Sequence, residues 1–304
     1  MRKVIIEVRV NERADRSVNP HVPWTAAEIA ADGTDCVAAG AAIIHYHGRS
    51  PDGDCNDDYA THRDAVAALR SACDALVHPS LGAKALHASA AERFDIILKL
   101  AAEGLAPDIA PVGMAPSVFS ATPEDDGAED ALRATIRDAV TLLHDAGVTP
   151  YFDIWNMRAM QRAVAMLQDG LLGAPALFML STVAEGVLDA DSARYLQPST
   201  PEGLTSFIGQ LPADASLNWT SLSYKGNLLP LIPQIVAQGG HISIGLGDYP
   251  YPELGLPTNA ALVREVVRVV RSLGCETATP DAAREILGMR AAQRPARMKL
   301  EIDA

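Results

Sequence analysis

Positive charge is what this 304-residue chain has least of: 25 Lys and Arg stand against 38 Asp and Glu, a formal net charge of −13. A nucleic acid or an anionic membrane needs a basic face to release counterions or meet headgroups, so neither is an expected partner. Any anionic substrate must then be held by local arginines or lysines. Cysteine is sparse as well. Cys36, Cys55, Cys73 and Cys275 form no CxxC pair, which argues against a disulfide framework and a cysteine zinc site alike. No uninterrupted apolar run is long enough to cross a bilayer, and Met1-Arg2-Lys3-Val4-Ile5-Ile6-Glu7 lacks the apolar core of a signal peptide, so the expected location is cytoplasmic. Linkers and low-complexity stretches are also missing, and a chain that is 48% hydrophobic can build one large core, so a single domain over 1–304 is expected.

What is present is a regular alternation of strand-like and helix-like patterns. Strands are expected near Val4–Val10, Ala41–Tyr46, Ala75–His78, Asp108–Pro111, Pro150–Ile154, Ala176–Leu180, Ser216–Thr220 and His241–Gly245. Helices are expected near Thr25–Ala39, Tyr59–Ala72, Ala90–Glu103, Glu129–Ala146, Asn156–Gln168, Pro201–Gln210, Leu228–Gln238 and Asn259–Leu273. Thr25-Ala26-Ala27-Glu28 is a capping box, and Gly40, Gly104, Gly147 and Gly274 stand where helices need a left-handed C-cap. Eight strand–helix units predict an α/β fold of the (β/α)8 TIM-barrel kind, with Thr279–Leu287 as a short C-terminal helical extension that packs on the barrel or on a neighbouring subunit. A doubly wound sheet is the rival, but Val10-Asn11-Glu12-Arg13 after the first strand carries no glycine-rich dinucleotide fingerprint. The acidic stretch Thr122–Asp130 reads as a loop entering a helix N-terminus.

The segment Ala41-Ala42-Ile43-Ile44-His45-Tyr46-His47 carries the most chemistry. Alternate residues of a strand share a face, so His45 and His47 present two imidazoles at one strand end, the arrangement that offers two ligands to one metal ion. Zn²⁺ or another divalent metal suits them, since a catalytic zinc takes three protein ligands and keeps one position open. The plain alternative is polar surface. In a barrel the C-terminal strand ends build the site. The expected ends hold Asn11 and Glu12, His45 and His47, His78 to Gly82, Asp153, Ser221 to Lys225, and Gly247 with Asp248. Ser80 and Gly82 could hydrogen-bond a carboxylate or an oxyanion. Arg49 and Lys225 either hold a carboxylate or a phosphate, or lie in solvent. His78 reads as a core histidine or a site residue, His241 as structural, and Asp153 as a site residue or not.

The runs Pro23-x-Thr25-x-x-Glu28-Ile29-Ala30, Ala39-Gly40-Ala41-Ala42-Ile43-Ile44-His45-Tyr46-His47, Gly239-Gly240-His241-Ile242-Ser243-Ile244-Gly245-Leu246-Gly247-Asp248 and Thr258-Asn259-Ala260 resemble the β-keto acid cleavage enzyme family, 3-keto-5-aminohexanoate cleavage enzymes included, over nearly the whole chain. The resemblance implies a TIM barrel, usually a homotetramer, with a divalent zinc. It also implies acyl exchange between a β-keto acid and acetyl-CoA as co-substrate, giving acetoacetate and a new acyl-CoA. It makes His45 and His47 metal ligands and Asp248 a candidate general base. Two departures mark a divergent member: Gly247 stands where the family commonly has a glutamate completing the zinc site, and Ser243 where it commonly has an arginine. Glu12 on strand one, next to strands two and eight in a closed barrel, could take over the missing ligand, bind a substrate ammonium, or pair with Arg13 or Arg49. The alternatives in function are a metal-dependent lyase or hydrolase on a small keto acid, or a non-catalytic barrel binding a small acid.

Overall fold

In the computed structural model, residues 1–81, 89–115, 126–187, 196–213 and 216–289 are described. Eight strands, β1 (Ile6–Arg9), β2 (Ile43–Tyr46), β3 (Leu76–Pro79), β4 (Ile109–Gly113), β5 (Thr149–Ile154), β6 (Ala176–Val183), β7 (Leu217–Tyr224) and β8 (His241–Ile244), lie in the order β3-β2-β1-β8-β7-β6-β5-β4, every neighbouring pair parallel. Asp108, just before β4, joins the two ends of that order: its backbone N–H donates to Val77 O at 3.0 Å and its carboxylate accepts from Val77 N at 2.8 Å. The result is a nearly closed (β/α)8 barrel, as the alternation predicts.

The outer helices are α1 (Ala26–Ala39), α2 (Tyr59–Ala72), α3 (Asp95–Ala102), α4 (Asp126–Asp145), α5 (Met157–Gln168), α6 (Pro201–Ile208), α7 (Ile232–Ala237) and α8 (Asn259–Ser272), and the extension is α9 (Pro280–Ile286). Side-chain caps start many of them where expected: Thr25 with Glu28 forms the capping box of α1, and Asp58, Asn156, Thr200, Thr258 and Thr279 cap α2, α5, α6, α8 and α9. Apolar residues fill two layers. Ile29, Leu69, Ile97, Phe152 and Val263 belong to the layer between strands and helices, while Ile43, Leu76, Ile109, Tyr151 and Leu177 belong to a second cluster that includes Ala282, Ala283 and Leu287 of the extension. The α9 segment therefore packs across the end of the barrel where strands begin. Asn218 Nδ2 donates to Ile286 O at 3.0 Å there, and the two-residue strand Glu276–Thr277 pairs with Lys3–Val4.

Several expected boundaries move. The helix expected over Ala90–Glu103 divides at the buried Phe94 into a single turn, Ala90–Arg93, and α3. The one over Leu228–Gln238 starts as a 3-10 turn at Leu229–Leu231, and Pro233 has no N–H to donate to the Leu229 carbonyl four residues back as a regular helix would. The helix expected from Glu129 already begins at Asp126, so part of the acidic stretch is helical. Strands β6 and β7 run three to four residues longer than their polar ends suggest, because they pair from Ala176↔Leu217 to Val183↔Tyr224. Ser221 consequently sits inside β7, donating to Leu180 O at 3.0 Å, and not at its end. Among the described residues no helix is long and apolar enough to cross a membrane.

Candidate active site

The site begins with glycines that let two strand ends lie against each other. A Cβ on Gly245 would stand 1.9 Å from Arg9 O, and one on Gly247 would stand 2.7 Å from Glu12 N and 2.8 Å from Glu12 Cβ and Cγ. Without side chains there, the segment after β8 follows the segment after β1, and Gly247 N donates to Arg9 O at 3.0 Å. Glu12 turns back over this surface with a backbone φ of 31°, a left-handed conformation uncommon for a residue with a side chain. The surroundings hold it there. Arg49 donates to the carbonyls of Asn11 at 2.9 Å, Gly53 at 2.6 Å and Glu12, and the Asn11 amide ties β1 to β2 by donating to His47 O at 3.0 Å and accepting from His47 N at 2.8 Å.

This backbone brings the Glu12 carboxylate between two imidazoles. His45 Nε2 lies 3.1 Å from Glu12 Oε1 and His47 Nε2 lies 2.5 Å from Glu12 Oε2. One donor atom from each of the three residues falls within 4.8 Å of the others. Burial, reinforced by the Arg9 charge, lowers the pKa of both rings, His45 well below the ordinary imidazole value and His47 to about 3, so both are neutral with ring lone pairs available. Neutral imidazole and carboxylate form the donor set of a divalent transition metal, and the space that Gly247 leaves is filled by the third donor. The residues fit such an ion.

Beside this group stands a second arrangement. Arg9 Nε lies 3.0 Å from Asp248 Oδ2, and its Nη2 pairs with Glu12. Burial raises the Asp248 pKa and Arg9 partly offsets it, leaving it at about 6. Such a carboxylate is a stronger base than a free aspartate and is still ionised at neutral pH. Below, the wholly buried Glu7 accepts from Ser243 Oγ at 2.6 Å and Tyr151 OH at 3.2 Å and pairs with His78 Nδ1 at 2.6 Å. Burial acts to raise the Glu7 pKa, but the His78 hydrogen bond and the charges of His78 and Arg9 outweigh it and bring it to about 2. The His45 and His78 rings are 4.4 Å apart.

The structure thus brings Glu12, His45, His47 and Asp248 together. Ser80 is buried just past β3, and its backbone N–H donates to Tyr46 O at 2.8 Å. Gly82 lies outside the described residues. Arg49, expected to hold a ligand anion or lie in solvent, is buried, and its two terminal nitrogens donate to backbone carbonyls. Lys225 follows β7 exposed, its Nζ 5.7 Å from the Tyr224 ring centroid. Asp153 is partly buried and accepts from Ser181 Oγ at 2.9 Å, and desolvation raises its pKa. His78 belongs to the Glu7 network, and His241, whose Nδ1 accepts from Ile5 N at 3.1 Å, is structural as its place at the start of β8 suggests. Sequence reasoning passed over Glu7, Arg9 and Tyr151. The signal was there: Glu7 and Arg9 alternate with apolar Ile6 and Val8, so one face of β1 is charged in a strand that is buried throughout.

Known proteins are similar to this chain over most of its length. A family model described as beta-keto acid cleavage enzyme matches residues 3–289. The chain is 28% identical to a 3-keto-5-aminohexanoate cleavage enzyme of Acetoanaerobium sticklandii, over 95% of this chain and 99% of that one. It is 26% identical to a 3,5-dioxohexanoate:acetyl-CoA acetone transferase of Paraburkholderia graminis, over 91% and 92%. Its fold is similar to that of ObcA in binary complex with oxaloacetate, with a TM-score of 0.69 at 19% identity, covering 89% of this chain and 68% of that one. The family model spans almost the entire chain, and on that ground the chain belongs to the beta-keto acid cleavage enzyme family.

Proposed function

We propose that the enzyme exchanges acyl groups between a β-keto acid and acetyl-CoA, giving acetoacetate and a new acyl-CoA, with a divalent cation, zinc, held by Glu12, His45 and His47. The observation that carries this reading is the Glu12 carboxylate seated between two neutral imidazoles, next to a buried aspartate with a pKa of about 6. The 3-keto-5-aminohexanoate and 3,5-dioxohexanoate named in the two relatives are both keto compounds, and one of those names includes acetyl-CoA. A cation bound there supplies Lewis-acid polarisation of the β-carbonyl and makes the adjacent carbon more acidic.

The residues then divide the remaining work. Asp248 takes the proton from the carbon between carbonyl and carboxylate. That carbon bonds to the acetyl carbonyl of acetyl-CoA and the CoA thiolate leaves. The thiolate next adds to the original acyl carbonyl, whose bond to the same carbon breaks; the electron pair stays on that carbon, which takes the proton back from Asp248 as acetoacetate departs. One carbon–carbon bond forms and one breaks, so no redox partner is required. The Ser80 hydroxyl is assigned to an oxyanion and the exposed Lys225 to a CoA phosphate. Arg49 keeps Glu12 in its left-handed turn by holding the surrounding carbonyls. By resemblance the proposal extends to a cytoplasmic homotetramer, which sedimentation velocity reads directly in its second part.

A panel of β-keto acids tests the function. Acetoacetate should appear only when acetyl-CoA is present, with one acyl-CoA formed per acetoacetate. Release of product without acetyl-CoA would point instead to a lyase or a hydrolase.

A further inference from the structure

Arg9 is the one site residue whose charge is buried at the centre of a ring of acids. It is 5% exposed, pairs with Glu12 through Nη2 and with Asp248 through Nε at 3.0 Å, and lies in the field of Glu7 and Asp153. Burial works against its charge, but Asp248 and Glu7 outweigh this and raise its pKa. Two sides of the guanidinium are thus committed to acids. The third is not. Among the described residues, the hydrogen-bond partner of Nη1 is the thioether of Met179 at 3.6 Å, a weak acceptor on β6 across the barrel. A guanidinium is built to grip a carboxylate, and a buried donor left with a thioether is costly unless a better acceptor arrives.

Other basic groups near the strand ends are placed differently. Arg49 turns both terminal nitrogens onto backbone carbonyls, and Lys225 is exposed at the rim. Position 243 on the neighbouring strand holds a serine bonded to Glu7 at 2.6 Å. A β-keto acid entering this acidic enclosure brings a carboxylate that needs a cation within reach of Asp248, and Arg9 already touches that aspartate. We propose that Arg9 binds the substrate carboxylate through its Nη1 edge and so sets the acidic carbon beside Asp248. The inference rests on the proposed function for the identity of the substrate.

Acetoacetate and its uncharged counterpart methyl acetoacetate separate the charge from the shape of the ligand. Each is titrated by calorimetry into wild type, Arg9→Lys and Arg9→Gln, and metal content is measured on the same samples. Acetoacetate should bind about 10-fold or more weakly to Arg9→Gln, as expected for losing a hydrogen-bonded charge partner, and less weakly to Arg9→Lys, while methyl acetoacetate binds all three alike. Acetoacetate affinity in Arg9→Gln within twofold of wild type, or an equal loss for both ligands, overturns the assignment. Should Arg9→Gln fail to fold, Arg9→Lys decides: an unchanged preference for acid over ester overturns it. Wild type that carries no metal defeats the proposed metal site, whereas the acid-to-ester preference still reads Arg9, so the two failures are distinguishable.

Discussion

At position 247 any side chain competes with Glu12 for the same space, since an added Cβ would meet the Glu12 backbone nitrogen and side chain within 2.8 Å. Backbone cannot yield cheaply there, so Gly247→Ala should displace Glu12, lower the metal content and cost about 1–3 kcal/mol of stability, the range for overpacking. Unchanged metal content and melting temperature in that variant would show that Glu12 does not depend on the space. Asp248→Asn keeps the shape of the base but cannot accept a proton. It should reduce turnover by about 10²-fold or more with metal content intact, and turnover close to wild type would remove the aspartate from its assigned role. The two histidines were legible because a strand's period of two is fixed by its backbone. Glu12 was visible as an acid at a strand end, but its approach to both imidazoles depends on a positive φ held by Arg49, a contact between residues far apart in sequence. Arg9 stayed hidden for a similar reason. The sequence shows a serine at 243 and gives no sign that an arginine one strand away covers the neighbouring aspartate.

Helices were easier to read than strand ends because their signals are local. A cap and its N–H acceptor lie three residues apart, and Thr25, Asp58 and Thr258 mark starts that the structure keeps within a residue. The ends of β6 and β7 are set by pairing with each other, so Ser181-Thr182-Val183 and Ser221-Leu222-Ser223-Tyr224 extend the strands despite their polarity. The extension tests whether packing at one end of the barrel can be separated from chemistry at the other. Leu287 is 3% exposed in the cluster that joins α9 to the barrel interior. Leu287→Ala should lower unfolding free energy by about 2–4 kcal/mol in urea titrations and leave metal content alone. A loss of metal with no loss of stability would contradict that separation.

Across the whole molecule, Asn259 ties together the segments that follow β1 and β8. Its side chain accepts from Leu246 N at 2.9 Å and donates to Val10 O at 3.1 Å and to Asp32 on α1 at 2.7 Å. Burial raises the Asp32 pKa to about 7, partly offset by that hydrogen bond. Its folded value lies above its ordinary one of 3.8, so between about pH 4 and 7 the folded chain binds the extra proton at this group. Its contribution to stability is therefore present at low pH and lost as pH rises through about 7. In melting curves over that range, Asp32→Asn should gain on wild type as pH rises, and a constant difference would contradict the assignment. The central claim is the three-residue metal site, and elemental analysis of purified wild type beside Glu12→Gln and the His45→Ala, His47→Ala pair tests it most directly. The account predicts one divalent ion per chain in wild type, a large loss in Glu12→Gln and none retained in the double variant; metal-free wild type, or Glu12→Gln with full stoichiometry, would contradict it.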